Sequence, residues 1–316
     1  MSYHFDPGTT ELELDEKPRT LETLELDLSL AFSAYQQSRF TTAASRVSSL
    51  LSDLRRASMI CRKGQRAKLS GILALSYQAA ASVLAKAGES DIAWVAAERG
   101  MSAAKDSGSP AIRASLTRSI AFALLAAGRL ESAMRLVEAG AIKLQDEIAH
   151  DDTALSVYGT LFLLGSMAAA RLGDGRRTAD YLTEASDAAR RLDDDANHLW
   201  TAFGPTNVAI HRVNTSTELG DIQTVVDHGL SLDTDAVPVE RRVRYLLDVA
   251  HVHCMTGNRD DALGTILTAE RAAPEQVRQH HLSRKVVTKL VRSTVGQPSI
   301  ELDKLAKRVN VLPSTG

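Results

Sequence analysis

Four polar side chains recur at helical spacing between His198 and Asp221: Asn207, His211, Asn214 and Glu218. At about 100° per residue they fall within one narrow sector, with Ala209, Ile210 and Val213 on another side. An amide both donates and accepts, so Asn207 and Asn214 suit recognition of an extended peptide backbone. His211 would add pH sensitivity if it titrates near neutrality. Trp200 and Phe203 stand just before the stripe. The competing account of the same residues is an ordinary solvent face preceded by two core aromatics.

Other candidate chemistry is thinner. His251, His253 and Cys254 resemble metal ligands at first sight. Positions two apart on a helix point away from each other, so His251 and His253 cannot share an ion, and no further ligands stand near. A basic cluster from Arg55 to Lys68 could hold phosphate, but a solvated inter-repeat edge is the preferred account. There is no GxxxxGK[ST] or GxGxxG loop and no GxSxG, HExxH or SxxK. No spacing singles out a catalytic carboxylate pair. These observations predict a non-enzymatic chain without metal or cofactor.

Composition sets the class. The chain has 316 residues, a formal net charge of -2 and two cysteines, Cys61 and Cys254, without a CxxC. Few aromatics and abundant alanine favour close-packed helices over sheets. The charge gives no global attraction to nucleic acid. The cysteine usage fits a reducing cytoplasm. No signal peptide and no membrane span are expected.

The element that must carry the stripe is a repeated phrase, clearest at Thr256 to Pro274. A turn at Gly257 and Asn258 leads into an amphipathic helix with small residues five and twelve positions after the glycine, at Ala262 and Ala269. Close helix crossings leave no room for long side chains, so alanine or glycine sits at the contact. The phrase recurs after Gly88 (Ala93, Gly100), after Gly128 (Ala133, Gly140) and, less regularly, after Ser38 (Ala43, Leu50). After Gly173 it fits with one inserted residue, giving Ala179 and Ser186; after Gly220 it meets Val225 and Leu232, both poor matches. The pattern predicts helix pairs turning near Ser38, Gly88, Gly128, Gly173, Gly220 and Gly257. With each turn taken as a fixed repeat position, Gln78, Ser82, Arg118, Phe122, Arg244 and His251 point inward with the stripe. Arg118 and Arg244 could hold a carboxylate bidentately.

Along the chain, residues 1–18 read as a disordered tail and 19–312 as the repeat domain. Ser109 and Pro110 open one helix and Asp151 can cap another. Gly204 breaks the chain and Pro205 starts the helix bearing the stripe. The tail from 275 reads as two helices split at Gly296 to Pro298, the last a capping helix.

The helix–turn–helix phrase resembles a tetratricopeptide repeat, with turns some forty residues apart instead of thirty-four. The fold expected is therefore all-α, a tetratricopeptide-like helical-repeat superhelix (an α-solenoid). WTAFGPTNVAIHRV (Trp200 to Val213) is the most specific part of a wider resemblance. With Ser76 to Gly100, Tyr158 to Asp174 and Arg241 to Leu263, it resembles the C-terminal tetratricopeptide-like region of actinobacterial helix-turn-helix transcriptional regulators of the XRE type. The resemblance covers nearly all of residues 25–310. It implies a sensory and dimerising module, whose distant relatives bind signalling peptides on the concave side.

In that family a DNA-binding domain of about 55 to 65 residues precedes the repeats, a size set by its compact three- to five-helix reader. Only about 20 residues precede the first repeat helix here, and they are acidic. The combined expectation is a cytoplasmic sensor that takes a peptide or small ligand and signals to a protein partner, with a homodimer implied by the resemblance. A protein-binding scaffold without ligand sensing is the alternative, and direct DNA binding is not expected. At physiological salt and nanomolar protein, gel retardation should show no sequence-specific retention of duplex DNA; a specific shifted band would refute this expectation.

Overall fold

The turns are fixed by backbone conformation. Ser38 (φ 58°), Gly88 (86°), Gly128 (72°), Gly173 (75°), Gly220 (79°) and Gly257 (86°) all adopt the left-handed region. Glycine enters it without a Cβ penalty, which explains five of the six. Ser38 is the exception. It is buried, and its hydroxyl donates to Gln276 Oε1 at 2.6 Å across 238 residues of sequence.

The computed structural model describes residues 19–294 and 296–311. The expected tail at 1–18 and the last residues of the expected repeat domain lie outside them. Around the turns stand six helix pairs: α1 (Leu21–Gln36) and α2 (Phe40–Ile60), α3 (Arg66–Lys86) and α4 (Ser90–Asp106), α5 (Pro110–Ala126) and α6 (Leu130–Ile142), α7 (Asp152–Arg171) and α8 (Gly175–Leu192), α9 (Pro205–Leu219) and α10 (Ile222–His228), α11 (Val239–Thr256) and α12 (Arg259–Ala272). Three shorter helices follow: α13 (Pro274–Gln279), α14 (His281–Arg292) and α15 (Ile300–Arg308). Among the described residues there is no β-strand, only an isolated bridge between Ala196 and Phe203.

The small residues of the phrase sit at the helix crossings. Ala43, Ala133, Ala262 and Ala269 are fully buried, and Ala93 nearly so. At Gly100 an added Cβ would lie 2.5 Å from Leu116 Cδ1. The caps act as expected: Ser109 Oγ accepts from Ile112 N–H at 3.3 Å, and Asp151 Oδ1 from Thr153 N–H at 2.8 Å.

Three expectations are corrected. The insertion after Gly173 does not exist. Thr178 and Ala185 are the buried crossing residues, while Ala179 is exposed. Thr178 tolerates burial because its hydroxyl donates to Asp174 O at 2.8 Å. After Gly220 the register also holds at buried Val225, but α10 ends before Leu232 is reached. The Tyr245 hydroxyl holds that break, donating to Gly229 O at 2.8 Å and accepting from Leu232 N–H at 3.1 Å. The tail contains three helices, because α13 starts at Pro274 and stops at the extended His280.

Against the expectation of no membrane-length segment, α7 is long and apolar enough to cross a bilayer. Its 18-residue apolar window is 83% buried by neighbouring helices, which gives it the place of a core helix.

The first helices of the pairs form the inner layer: α1, α3, α5, α7, α9 and α11 each neighbour the next. The series then returns on itself, since α1 also packs against α11. The segment from Asp193 to Gly204 crosses this inner layer. Phe203 is fully buried over Gly159 of α7, and Trp200 stacks on Phe32 of α1 with centroids 4.1 Å apart and planes 7° apart. A Cβ at Gly159 would lie 1.9 Å from Phe203 Cζ. Gly159→Ala should therefore cost about 1–3 kcal/mol or more in urea unfolding, and Phe203→Leu in the same chain should recover part of it. An unchanged midpoint for Gly159→Ala would contradict this packing.

Candidate functional site on the inner ring

The sequence-predicted residues separate into structural and free groups. Asn207 is buried, and its Nδ2 donates to Ala202 O at 2.8 Å, tying α9 to the crossing segment. Its Oδ1 has no protein partner. Asn214 Nδ2 donates to Asp248 Oδ2 at 3.2 Å, linking α9 to α11. Glu218 is exposed at the far end of α9. Trp200 and Phe203 hold the crossing segment through Phe32 and Gly159, as described above.

Gln78 is buried and its Oε1 accepts from Ser115 Oγ at 2.8 Å, while Ser82 Oγ donates to Gln78 O at 3.0 Å. His251 is buried with Nε2 3.2 Å from Lys285 Nζ and no partner at Nδ1. Arg244 Nη2 lies 3.3 Å from Asp248 Oδ1, and its Nη1 lies 2.7 Å from His280 Nε2. Arg118 is half-buried and makes no hydrogen bond or ion pair among the described residues; its Nε is buried without a partner. Phe122, one turn further along α5, is 42% exposed.

Sequence reasoning missed the group that joins these helices. Glu240 of α11 is buried and takes Lys86 of α3 on Oε1 and Arg241 on Oε2, the latter at 2.8 Å. Gln276 Nε2 donates to Glu240 O at 3.0 Å, and the same side chain accepts from Ser38. Glu275 Oε2 accepts from the N–H and hydroxyl of Thr41 at 3.0 and 3.2 Å. Helix α13 thus latches the turn of the first pair onto α11. One signal was available: Arg241 and Asp248 lie three before and four after Arg244 on the same helix, hence on its inward face.

Charge inside the ring shifts several titrations. Burial works against the Glu240 carboxylate, but Arg241, Lys86 and Arg244 outweigh it and hold the group down at about 2. Burial and the nearby Arg241 lower Arg118 to about 10. Asp248 is raised by burial, against Arg244 and Asn214. His211, whose Nδ1 lies 2.9 Å from Asn207 O, is pushed by burial and Arg241 to about 4. It is therefore neutral at pH 7 and does not provide the near-neutral switch that its position in the stripe suggested. Burial and Lys285 bring His251 to about 4 as well.

Among the described residues no three His, Cys, Asp or Glu side chains come together as a metal site. A cavity of about 260 Å³ lies beside the crossing segment at Asp195, Asn197 and Ala202, and another of about 270 Å³ lies at Ser33, Gln36 and Arg242; both have Val237 and Pro238 as walls.

The lowered histidines have a signed consequence. Between about pH 6.5 and 4 the unfolded chain binds protons that native His211 and His251 refuse, so stability falls as pH falls through that window. Each such group contributes up to about 1.4 kcal/mol per pH unit. Calorimetric melting at several pH values should show this slope, and His211→Gln should flatten it; an identical slope in the variant would exclude His211 as its source.

No protein family model matches the chain, and no curated protein matches it. Similar solved structures exist. Aspartyl phosphate phosphatase F from Bacillus subtilis is 11% identical with a TM-score of 0.55, covering 90% of this chain and 64% of that one. BtubC (BKLC) from P. vanneervenii is 15% identical with a TM-score of 0.47, covering 87% and 94%. The human IFIT1 dimer with PPP-AAAA is 13% identical with a TM-score of 0.39, covering 93% and 64%. The chain thus spans about two-thirds of the phosphatase's length, at an identity that establishes shared architecture alone. With 79% of the described residues helical and an inner ring of first helices, the fold is a tetratricopeptide-like helical-repeat superhelix.

Proposed function

We propose that this chain is a non-enzymatic regulatory module that takes a peptide or small ligand on its inner ring and passes the change to a protein partner. The observation that carries this reading is the contrast along α5 and its neighbours. Gln78, Asn214, Arg244 and Glu240 are engaged with other side chains, whereas Arg118 makes no such bond and Phe122, one turn along the same helix, is exposed. Unspent donors and an exposed aromatic inside a concave surface are what a ligand site requires. Glu240 is committed to two cations, which supports the non-enzymatic reading. The resemblance of Trp200 to Val213 to XRE-type regulators supports a link to transcriptional control, with a cytoplasmic setting.

The filled interior favours the scaffold as a second reading. The crossing segment occupies part of the ring, and cavities of about 260 and 270 Å³ beside Val237 and Pro238 are small for a peptide. The readings separate on one experiment. Protein purified from its native host, denatured and extracted, should release a peptide or small molecule. Re-added to wild type, that compound should bind, and Phe122→Ala should weaken it about tenfold or more, near 1.4 kcal/mol. An empty extract combined with stoichiometric capture of a protein partner would leave the scaffold.

A further inference from the structure

Cations outnumber carboxylates inside the ring. Lys86 and Arg241 share Glu240, and Arg244 takes Asp248. Arg118 is left over: its Nε is buried without a partner and it makes no ion pair among the described residues, while it feels both the opposing charge of Arg241 and the attraction of Glu240. Tyr35, the uncharged neighbour, supplies no anion because burial raises its titration, and the nearby Glu240 carboxylate is already engaged by Lys86 and Arg241. Arg241 is itself half used, since Nη1 reaches Glu240 while Nε is buried without a partner.

An unpaired cation withdrawn from water is costly and persists where something else compensates it. A guanidinium presents a planar fork of donors that matches the oxygens of a carboxylate or a phosphate. We propose that an anionic group of a small ligand, a phosphate or carboxylate, binds between Arg118 of α5 and Arg241 of α11 inside the ring. Phe122, one turn from Arg118, gives the apolar remainder of that ligand a surface. Because α11 is latched to the first pair through Gln276, an anion bridging α5 and α11 also joins the middle of the ring to its closure. This inference rests on the reading that the inner ring takes a ligand, and it names the chemistry of that ligand.

The test uses the full chain in a buffer free of phosphate and carboxylate, at near-neutral pH and constant ionic strength. Sodium phosphate and sodium succinate are titrated separately, followed by calorimetry and by the melting midpoint. At least one anion should bind saturably and raise the midpoint. Arg118→Gln should weaken that binding tenfold or more, and Arg176→Gln, at an exposed position of α8, should not. In anion-free buffer Arg118→Gln should melt no lower than wild type, because it removes an unpaired charge; lost binding then cannot be ascribed to unfolding. Saturation by phosphate alone identifies a phosphoryl ligand, and by succinate alone a carboxylate. No saturation of wild type by either anion, or an Arg118→Gln titration like that of wild type, would overturn the proposal. A native ligand whose affinity survives Arg118→Gln would remove this site and leave the sensing reading intact.

Discussion

The arrangement depends on one buried carboxylate. Glu240 stands where α3, α11 and α13 meet, receiving Lys86 from across the ring and Arg241 from its own helix. An isolated carboxylate there would be expelled or protonated, and two cations together with a satisfied main-chain carbonyl make it tolerable. Loss of one partner leaves a desolvated charge, while joint replacement of the whole group by apolar residues need not destabilise. Its value to the fold is geometric. It fixes which faces of α3 and α11 oppose each other across an interior that small-residue crossings alone would leave free to open or close.

The same local chemistry explains why charge accumulates inside. Helices packed through alanine and glycine bury little polar surface at their crossings, so polar groups concentrate on the inner face. They satisfy one another between adjacent elements: Asn214 with Asp248, Gln78 with Ser115, and at the first turn Ser38 with Gln276. This mutual satisfaction is incomplete at Arg118, and also at Asn207 Oδ1, His251 Nδ1 and Arg241 Nε.

Much of the fold was legible because its signal is local. A left-handed turn residue, followed by small residues five and twelve positions later, states a hairpin within one short segment. Thr178 was misread because a β-branched polar residue does not look like a crossing residue until its hydroxyl is seen bonded to Asp174. The short α10 was hidden for a similar reason, since Tyr245 on the next helix decides where it ends. Of the candidate site, the inward positions on α3, α5, α9 and α11 followed from repeat register. What periodicity could not convey was which of them are already engaged. Asn207 and Trp200 look equally available in sequence, and both are used to hold the crossing segment.

The return of α1 to α11 changes how cooperative the chain must be. An open array of repeats unfolds from its ends, each unit depending on its immediate neighbours. Here the first pair is bonded to residues about 240 positions away. Closing a loop of that length, compared with one of forty residues, costs roughly 1.6 kcal/mol more in chain entropy. Once formed, the closure ties the first pair, which in an open array would fray, to α13. The polymer then behaves as a circuit, and a perturbation at any one pair is felt by the bond that completes it.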